Sequence, residues 1–241
     1  MRVVAVIQAR TGSTRLPGKA LALVGDRPLF AWTIAALQAV PAVDVVVLAI
    51  PDEPADDGLA AAAAGLALVH RGSARDVLAR VWDAASPHAP DFVVRGTADN
   101  PFPDPEVIGA QVAACADGGF DYVGTSGYPL GIAAEVARAS ALETAARDAT
   151  APAEREHVMP FLYDHPGRFR VGSLPAPAAT RHSRYTVDTQ EDLAFARALA
   201  ARIGHPPPVR LAELEAIVAR EPGLADLNAD VRQKHWQEVE P

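Results

Sequence analysis

Residues Gln8 to Lys19, QARTGSTRLPGK, gather three cations, two glycines and two adjacent hydroxyls into one short segment. Gly12 and Gly18 permit tight turns and close approach of backbone to a ligand. Arg10, Arg15 and Lys19 supply charge, Ser13 and Thr14 supply donors, and Gln8 and Ala9 join the loop to the apolar run before it. Cations and exposed amides after a buried strand suit a polyphosphate. The loop is not a Walker A sequence: five residues separate the glycines, and Ala20 stands where a metal-binding hydroxyl would follow the lysine. Nor does it have the glycine spacing of a dinucleotide fingerprint, which argues against an oxidoreductase. A surface turn with incidental arginines is the competing reading; it explains Lys19 poorly, because the chain has only one other lysine, Lys234.

Two carboxylates complete the candidate chemistry. Asp99, in TADNP, and Asp188, in RYTVDTQED, each follow an apolar run. Carboxylates gathered at strand ends beside a triphosphate would hold one or two Mg²⁺ ions. Other roles are open to both. Asp188 or Thr189 would cap the following helix, and Thr189 with Asp192 resembles a capping box, which frees Asp188. Asp99 precedes Asn-Pro and would suit a turn. Asp104 and Glu106 read as a helix start.

Arg71, Gly72 and Ser73 are expected after a strand and before a helix, an anion-compatible arrangement. Asp76 and Arg80 have the spacing of a helical surface pair. Arg95 ends a strand at the same crevice. Glu154, Arg155, Glu156 and His157 form a charged run, readable as a solvated helical face or as a contact to a second substrate.

These positions require alternating elements. Strands are expected over 2–8, 43–50, 66–70, 91–95 and 120–126, with helices over 28–39, 54–64, 74–86 and 104–117. The five-alanine end of 54–64 reads as packed helix, since alanine is the best helix former. Beyond this lie a Gly- and Pro-containing stretch at 128–138, helices at 139–149 and 154–164, and a strand at 169–174. A short strand at 183–188, a helix from Gln190 to about Arg202 and a break at Pro206–Pro208 follow. The pattern implies an α/β fold with a mostly parallel sheet flanked by helices. A single domain over 1–241 is expected, with 127–174 as an insertion or dimer arm.

The chain has 241 residues, ample for a packed core. A formal charge of −8 argues against nucleic-acid binding, though not against a cationic pocket in an acidic shell. The lone Cys115 excludes a disulfide scaffold and reads as a buried core residue. No apolar run reaches the length of a membrane span and the start does not resemble a signal peptide, so a cytoplasmic protein is expected.

The loop ARTGSTRLPGK resembles the nucleotide-binding signature of CTP-dependent cytidylyltransferases that activate sugar acids such as sialic acid and Kdo. The fit is nearest the spore-coat polysaccharide SpsF-type branch. RGSARDVLAR, RGTADNPFPDPEVI, YPLGIAAEV, EREHV and RYTVDTQEDL match in order, so the resemblance spans residues 1 to about 200. It implies a Rossmann-like, GT-A-like nucleotidyltransferase fold, Mg²⁺ dependence and a homodimer. It also implies nucleotide contacts from Gln8, Ala9, Arg10, Gly12, Ser13, Arg15, Lys19, Arg71, Gly72 and Arg95. Arg10, Lys19 and Asp99 would be catalytic, with Asp99 and Asp188 as metal ligands. Glu135, Arg155 and His157 would face the acceptor, a small molecule. Related sequences often carry an aspartate where this chain has Ala133, which points to a changed acceptor or dimer contact. The nucleotide preference rests on the resemblance alone. Another nucleotide, a phosphate-bearing acceptor, or a non-catalytic nucleotide-binding subunit are the alternatives.

Overall fold

The structure, a computed structural model, describes residues 1–180 and 182–233; Lys234 lies outside the described residues. Strand β1 (Val3–Gln8) is buried from Val3 through Ile7. Such a run needs cover on both faces, and the sheet provides it. After β1 come a short hairpin, β2 (Leu23–Val24) and β3 (Arg27–Pro28), then α1 (Leu29–Gln38), β4 (Val45–Pro51), α2 (Asp57–Ala63), β5 (Leu68–Gly72), α3 (Val77–Ala85), β6 (Phe92–Thr97) and α4 (Pro105–Asp117). The second half holds β7 (Tyr122–Ser126), β8 (Glu135–Arg138), α5 (Ala139–Asp148), α6 (Pro152–His157), α7 (Pro160–Tyr163), β9 (Val171–Pro175), α8 (Gln190–Ala200) and α9 (Leu211–Arg220).

Seven strands form one sheet in the order β5-β4-β1-β6-β8-β7-β9. β8 runs antiparallel to both neighbours, and every other pairing in the sheet is parallel. The mostly parallel sheet expected from the alternating pattern is present. Helices α1, α2 and α4 cover one face, through Phe30, Leu59 and Ile108 among others. Helices α3, α5 and α7 cover the other, through Leu78, Leu142 and Leu162. A third apolar cluster joins α8, α9 and the β2–β3 hairpin around Trp32, Tyr185 and Phe195. Cys115 is fully buried, as expected, and burial pushes its thiol up to about 11. Among the described residues no helix is long and apolar enough to cross a membrane.

Three expectations about local structure are corrected. The Gly- and Pro-containing stretch at 128–138 contains β8, whose few residues pair between β6 and β7. Residues 127–174 thus supply β8 to the interior of the sheet and β9 to its edge. The helix expected at 154–164 is broken at Val158, which adopts φ 74° and ψ −58°. The Met159 amide donates to the His157 carbonyl there at 2.9 Å, a γ-turn at a buried β-branched residue. The strand expected at 183–188 is only a strip of backbone contact. Leu130 N–H donates to Ser183 O at 2.9 Å, and Tyr185 N–H donates to Leu130 O at 2.8 Å.

That strip depends on Gly131, whose φ is +90°. A Cβ there would lie 2.8 Å from the Thr186 amide nitrogen and 2.9 Å from the Tyr185 carbonyl carbon. Backbone on the far side cannot yield as a flexible side chain would. Gly131→Ala is expected to lower unfolding free energy by about 1–3 kcal/mol, measured by urea denaturation.

Candidate active site

The Gln8–Lys19 loop leaves the C-terminal end of β1 and is tied down at three points. Thr11 donates through its amide (2.7 Å) and hydroxyl (2.9 Å) to Oδ1 of the buried Asp56. Leu16 is buried in the apolar cluster around Trp32. Gly18, at φ 71°, turns the chain into the short 3-10 segment that begins with Lys19. Gly12 is exposed, with open space where a Cβ would stand. Ser13 is half-buried, and Arg10 and Arg15 are exposed.

Lys19 is the centre of the site. Its Nζ donates to Asp99 Oδ2 at 2.8 Å, to Asp188 Oδ1 at 2.8 Å and to the Val187 carbonyl at 2.9 Å. Those partners use all three ammonium hydrogens. Arg15 reaches Asp188 Oδ1 at 3.1 Å. Arg184 holds the other oxygen of Asp188 at 2.8 Å and donates to both oxygens of Asp192. Burial alone would lower the Lys19 pKa, but Asp99 and Asp188 outweigh it and raise it above its ordinary value. Burial would likewise raise Asp188, yet Lys19, Arg15 and Arg184 hold its carboxyl below the usual range.

Local folding explains how these groups meet. The turn after β6 is pinned by Thr33 of α1, whose hydroxyl donates to Asn100 O at 2.7 Å. The Val187 amide donates to Asp99 O at 2.8 Å, which locks the second carboxylate segment against the first. Thr189 and Asp192 form the expected capping box of α8. Asp192 also receives Arg184 and, at 2.9 Å, the Asn228 amide. Asp192 was legible as the capping partner of Thr189, while the roles of Arg184, Asn228 and Asp56 were not. The capping pair was the one available signal for Asp192; its contacts with Arg184 and Asn228 depend on tertiary packing.

The remaining candidates fall into separate groups. Gln8, Arg95 and Glu135 are brought together: Arg95 Nε donates to Gln8 Oε1 at 2.9 Å and its Nη1 pairs with Glu135. The Tyr122 hydroxyl donates to the other Glu135 oxygen at 2.9 Å. Arg71 and Gly72 are the last residues of β5, not a loop after it. Arg71 is engaged by Asp52 at 3.0 Å and Asp57 at 2.8 Å, away from the Lys19 cluster in its bonding. Asp76 and Arg80 do not pair along their helix. Asp76 caps α3 through the Ala79 amide and binds Arg155, while buried Arg80 turns to the Ser73 carbonyl. Arg155 also donates to Ala146 O at 2.6 Å, so it clamps α6 to α3 and α5. His157 is half-buried and ends α6, next to the γ-turn. Asp104 begins α4 as expected, accepting from the Glu106 amide at 2.8 Å.

Fold and site together define an α/β protein of the nucleotidyltransferase kind. A cytidylyltransferase from Leptospira borgpetersenii superposes with a TM-score of 0.88 at 26% identity, covering 98% of this chain and 100% of that one. The cytidylyltransferase family model matches residues 4–223, and the chain belongs to that family. It is 36% identical over 228 residues to the spore coat polysaccharide biosynthesis protein SpsF of Bacillus subtilis, covering 91% of this chain and 95% of the relative. A 3-deoxy-manno-octulosonate cytidylyltransferase of Anaeromyxobacter dehalogenans is 40% identical over 121 residues, 49% of each chain.

The depressed Asp188 carboxyl carries a pH signature. Its contribution to stability is complete above the unfolded value of 3.8 and is lost as pH falls through its lower folded value. Asp188→Asn is expected to cost about 3 kcal/mol at pH 7, because it strips a carboxylate from mostly buried cations. The gap to wild type should stay flat at neutral pH and close only below 3.8, as followed by chemical denaturation across pH.

Proposed function

We propose that the protein transfers CMP from CTP to a hydroxyl of a sugar or sugar-acid-like acceptor and releases pyrophosphate. The observation that carries this reading is the meeting of the phosphate-type loop with Asp99 and Asp188 at one point, on a cytidylyltransferase fold. The acceptor oxygen attacks the α-phosphorus. The bond from that phosphorus to the bridging oxygen breaks, and its electron pair leaves with pyrophosphate. The acceptor hydroxyl proton passes to a base or to water.

Such a transfer needs positioning and charge neutralisation more than a protein nucleophile. Arg10, Arg15 and Lys19 bind the β- and γ-phosphates and stabilise the leaving group, while Gly12 and Ser13 let backbone approach it. Two carboxylates and a main-chain carbonyl around one cation form a hard-oxygen donor set, which fits Mg²⁺. Asp99 and Asp188 would hold that ion. When bound, it neutralises the triphosphate and acidifies the acceptor hydroxyl.

Gln8, Ala9, Arg71, Gly72 and Arg95 belong to the nucleotide side of this reading. Glu135 and His157 face the acceptor. Arg155 serves that side by fixing α6, since its guanidinium is already engaged by Asp76 and Ala146. A homodimer and a cytoplasmic location complete the proposal.

The test is pyrophosphate release with CTP, Mg²⁺ and a panel of sugar and sugar-acid acceptors. Lys19→Ala and Asp99→Ala should each slow turnover by about 100-fold or more, the scale of losing a charge-stabilising group. Full turnover in either variant, or nucleotide binding without pyrophosphate release under every acceptor, would contradict it.

A further inference from the structure

The three contacts of Lys19 conflict with its role as a phosphate ligand. An ammonium has three hydrogens, and here all three point at Asp99, Asp188 and the Val187 carbonyl. Arg15, the second loop cation, also rests on Asp188. Lys19 cannot keep all three contacts and bind a triphosphate, and Arg15 would have to share its guanidinium between Asp188 and the phosphates. The two carboxylates face the same difficulty, because the oxygen of Asp188 that would meet a metal is covered by Lys19 and Arg15.

Lys19, Arg15 and Arg184 stand against Asp99, Asp188 and Asp192, three cations against three carboxylates. A divalent cation added to this neutral, mostly buried cluster would leave it with excess positive charge, which is costly in low dielectric. If Lys19 and Arg15 swing away as the ion enters, two unit charges leave and one double charge arrives. The triphosphate provides the anionic partner for both departing side chains. Arg184 stays, because it is braced by Asp192, itself held by Asn228.

The geometry points to a cation exchange: Lys19, assisted by Arg15, occupies the place of the divalent ion in the nucleotide-free protein and yields it when the triphosphate arrives. This rests on the proposed metal role of Asp99 and Asp188. Its consequence is linkage. Metal and nucleotide each remove the obstacle to the other, so each binds poorly alone and well together, and the coupling is reciprocal. A carboxylate pair blocked by its own lysine also keeps the site from filling with divalent cation before nucleotide is present.

The experiment reads metal affinity directly and needs neither acceptor nor turnover. Mn²⁺, a divalent ion that also favours oxygen ligands, is titrated into nucleotide-free protein and followed by electron paramagnetic resonance. Lys19→Met should bind Mn²⁺ about tenfold or more tightly than wild type, within the usual range of coupling between sites. Adding Asp99→Asn to that variant should abolish the gain. Arg15→Gln should give a smaller gain and carries the test if Lys19→Met fails to fold. Equal or weaker Mn²⁺ binding in the variants would overturn the proposal. So would an equal gain in Arg10→Gln, which would reduce the effect to net charge, or a gain that survives Asp99→Asn. Failure of pyrophosphate release with every acceptor would count against the proposed reaction and leave this metal titration unaffected.

Discussion

One ammonium between two carboxylates organises this protein. Lys19 lies 80 residues from Asp99 and 169 from Asp188 along the chain, yet it bonds both at 2.8 Å. Neither carboxylate tolerates burial without a cation, and a buried lysine needs anions. The contact therefore ties the first loop, the turn after β6 and the segment before α8 into one unit. Arg184 extends the same logic inward, where Asp192 is fully covered and its oxygens meet the guanidinium, backbone amides and Asn228. Charge balance, three cations against three carboxylates, stabilises the cluster.

The sheet makes this meeting possible. Parallel β1, β4, β5 and β6 bring their C-terminal ends to one edge, where open α/β sheets take ligands. β8 reverses direction beside β6, and its register sets Glu135 opposite Arg95. A row of polar groups thus crosses an otherwise apolar sheet face, from Gln8 through Arg95 and Glu135 to Tyr122. Tyr122 is buried, and burial together with Glu135 raises its pKa well above the ordinary phenol value, so it stays a hydrogen donor. Glu135 is held on both oxygens, by Arg95 and by Tyr122. In the same apolar cluster as Tyr122, the Val158 γ-turn ends α6 at His157 and starts the chain toward α7. Backbone strain of that kind persists only where the surrounding packing enforces it, and Val158 is fully buried.

Much of this was legible from periodicity and local chemistry. The continuous apolar runs at β1 and β4 announced buried strands, 91–95 was readable as a strand, and the capping pair Thr189–Asp192 marked the start of α8. The loop announced itself through Gly12, Gly18 and a lysine in a chain that almost lacks them. What stayed hidden was tertiary. β8 has only four residues, too few for an alternating pattern to register. Arg155 sits in a run of charges that reads as solvated, but it reaches Asp76 across 79 residues and becomes a clamp. The strip at 183–187 shows strand-like composition, yet only Leu130 and Arg184 form a bridge, because Gly131 and the carboxylate contacts dictate its path. Asp56 anchors Thr11 from a segment whose alanine-rich composition draws attention to its helix alone.

The chain belongs to the cytidylyltransferase family, and the proposed reaction would have to open the contacts of this cluster. Lys19, Arg15, Asp99 and Asp188 bind one another, and the proposed reaction has the same four residues bind a triphosphate and its ion. The direct measurement is a crystal structure with CTP and Mg²⁺ bound. The Lys19 ammonium should lie on phosphate oxygens, with the ion bound to Asp99 and Asp188 where the ammonium was. A Lys19 still bridging both carboxylates, with the ion and the nucleotide bound elsewhere, would contradict the shared role of this site.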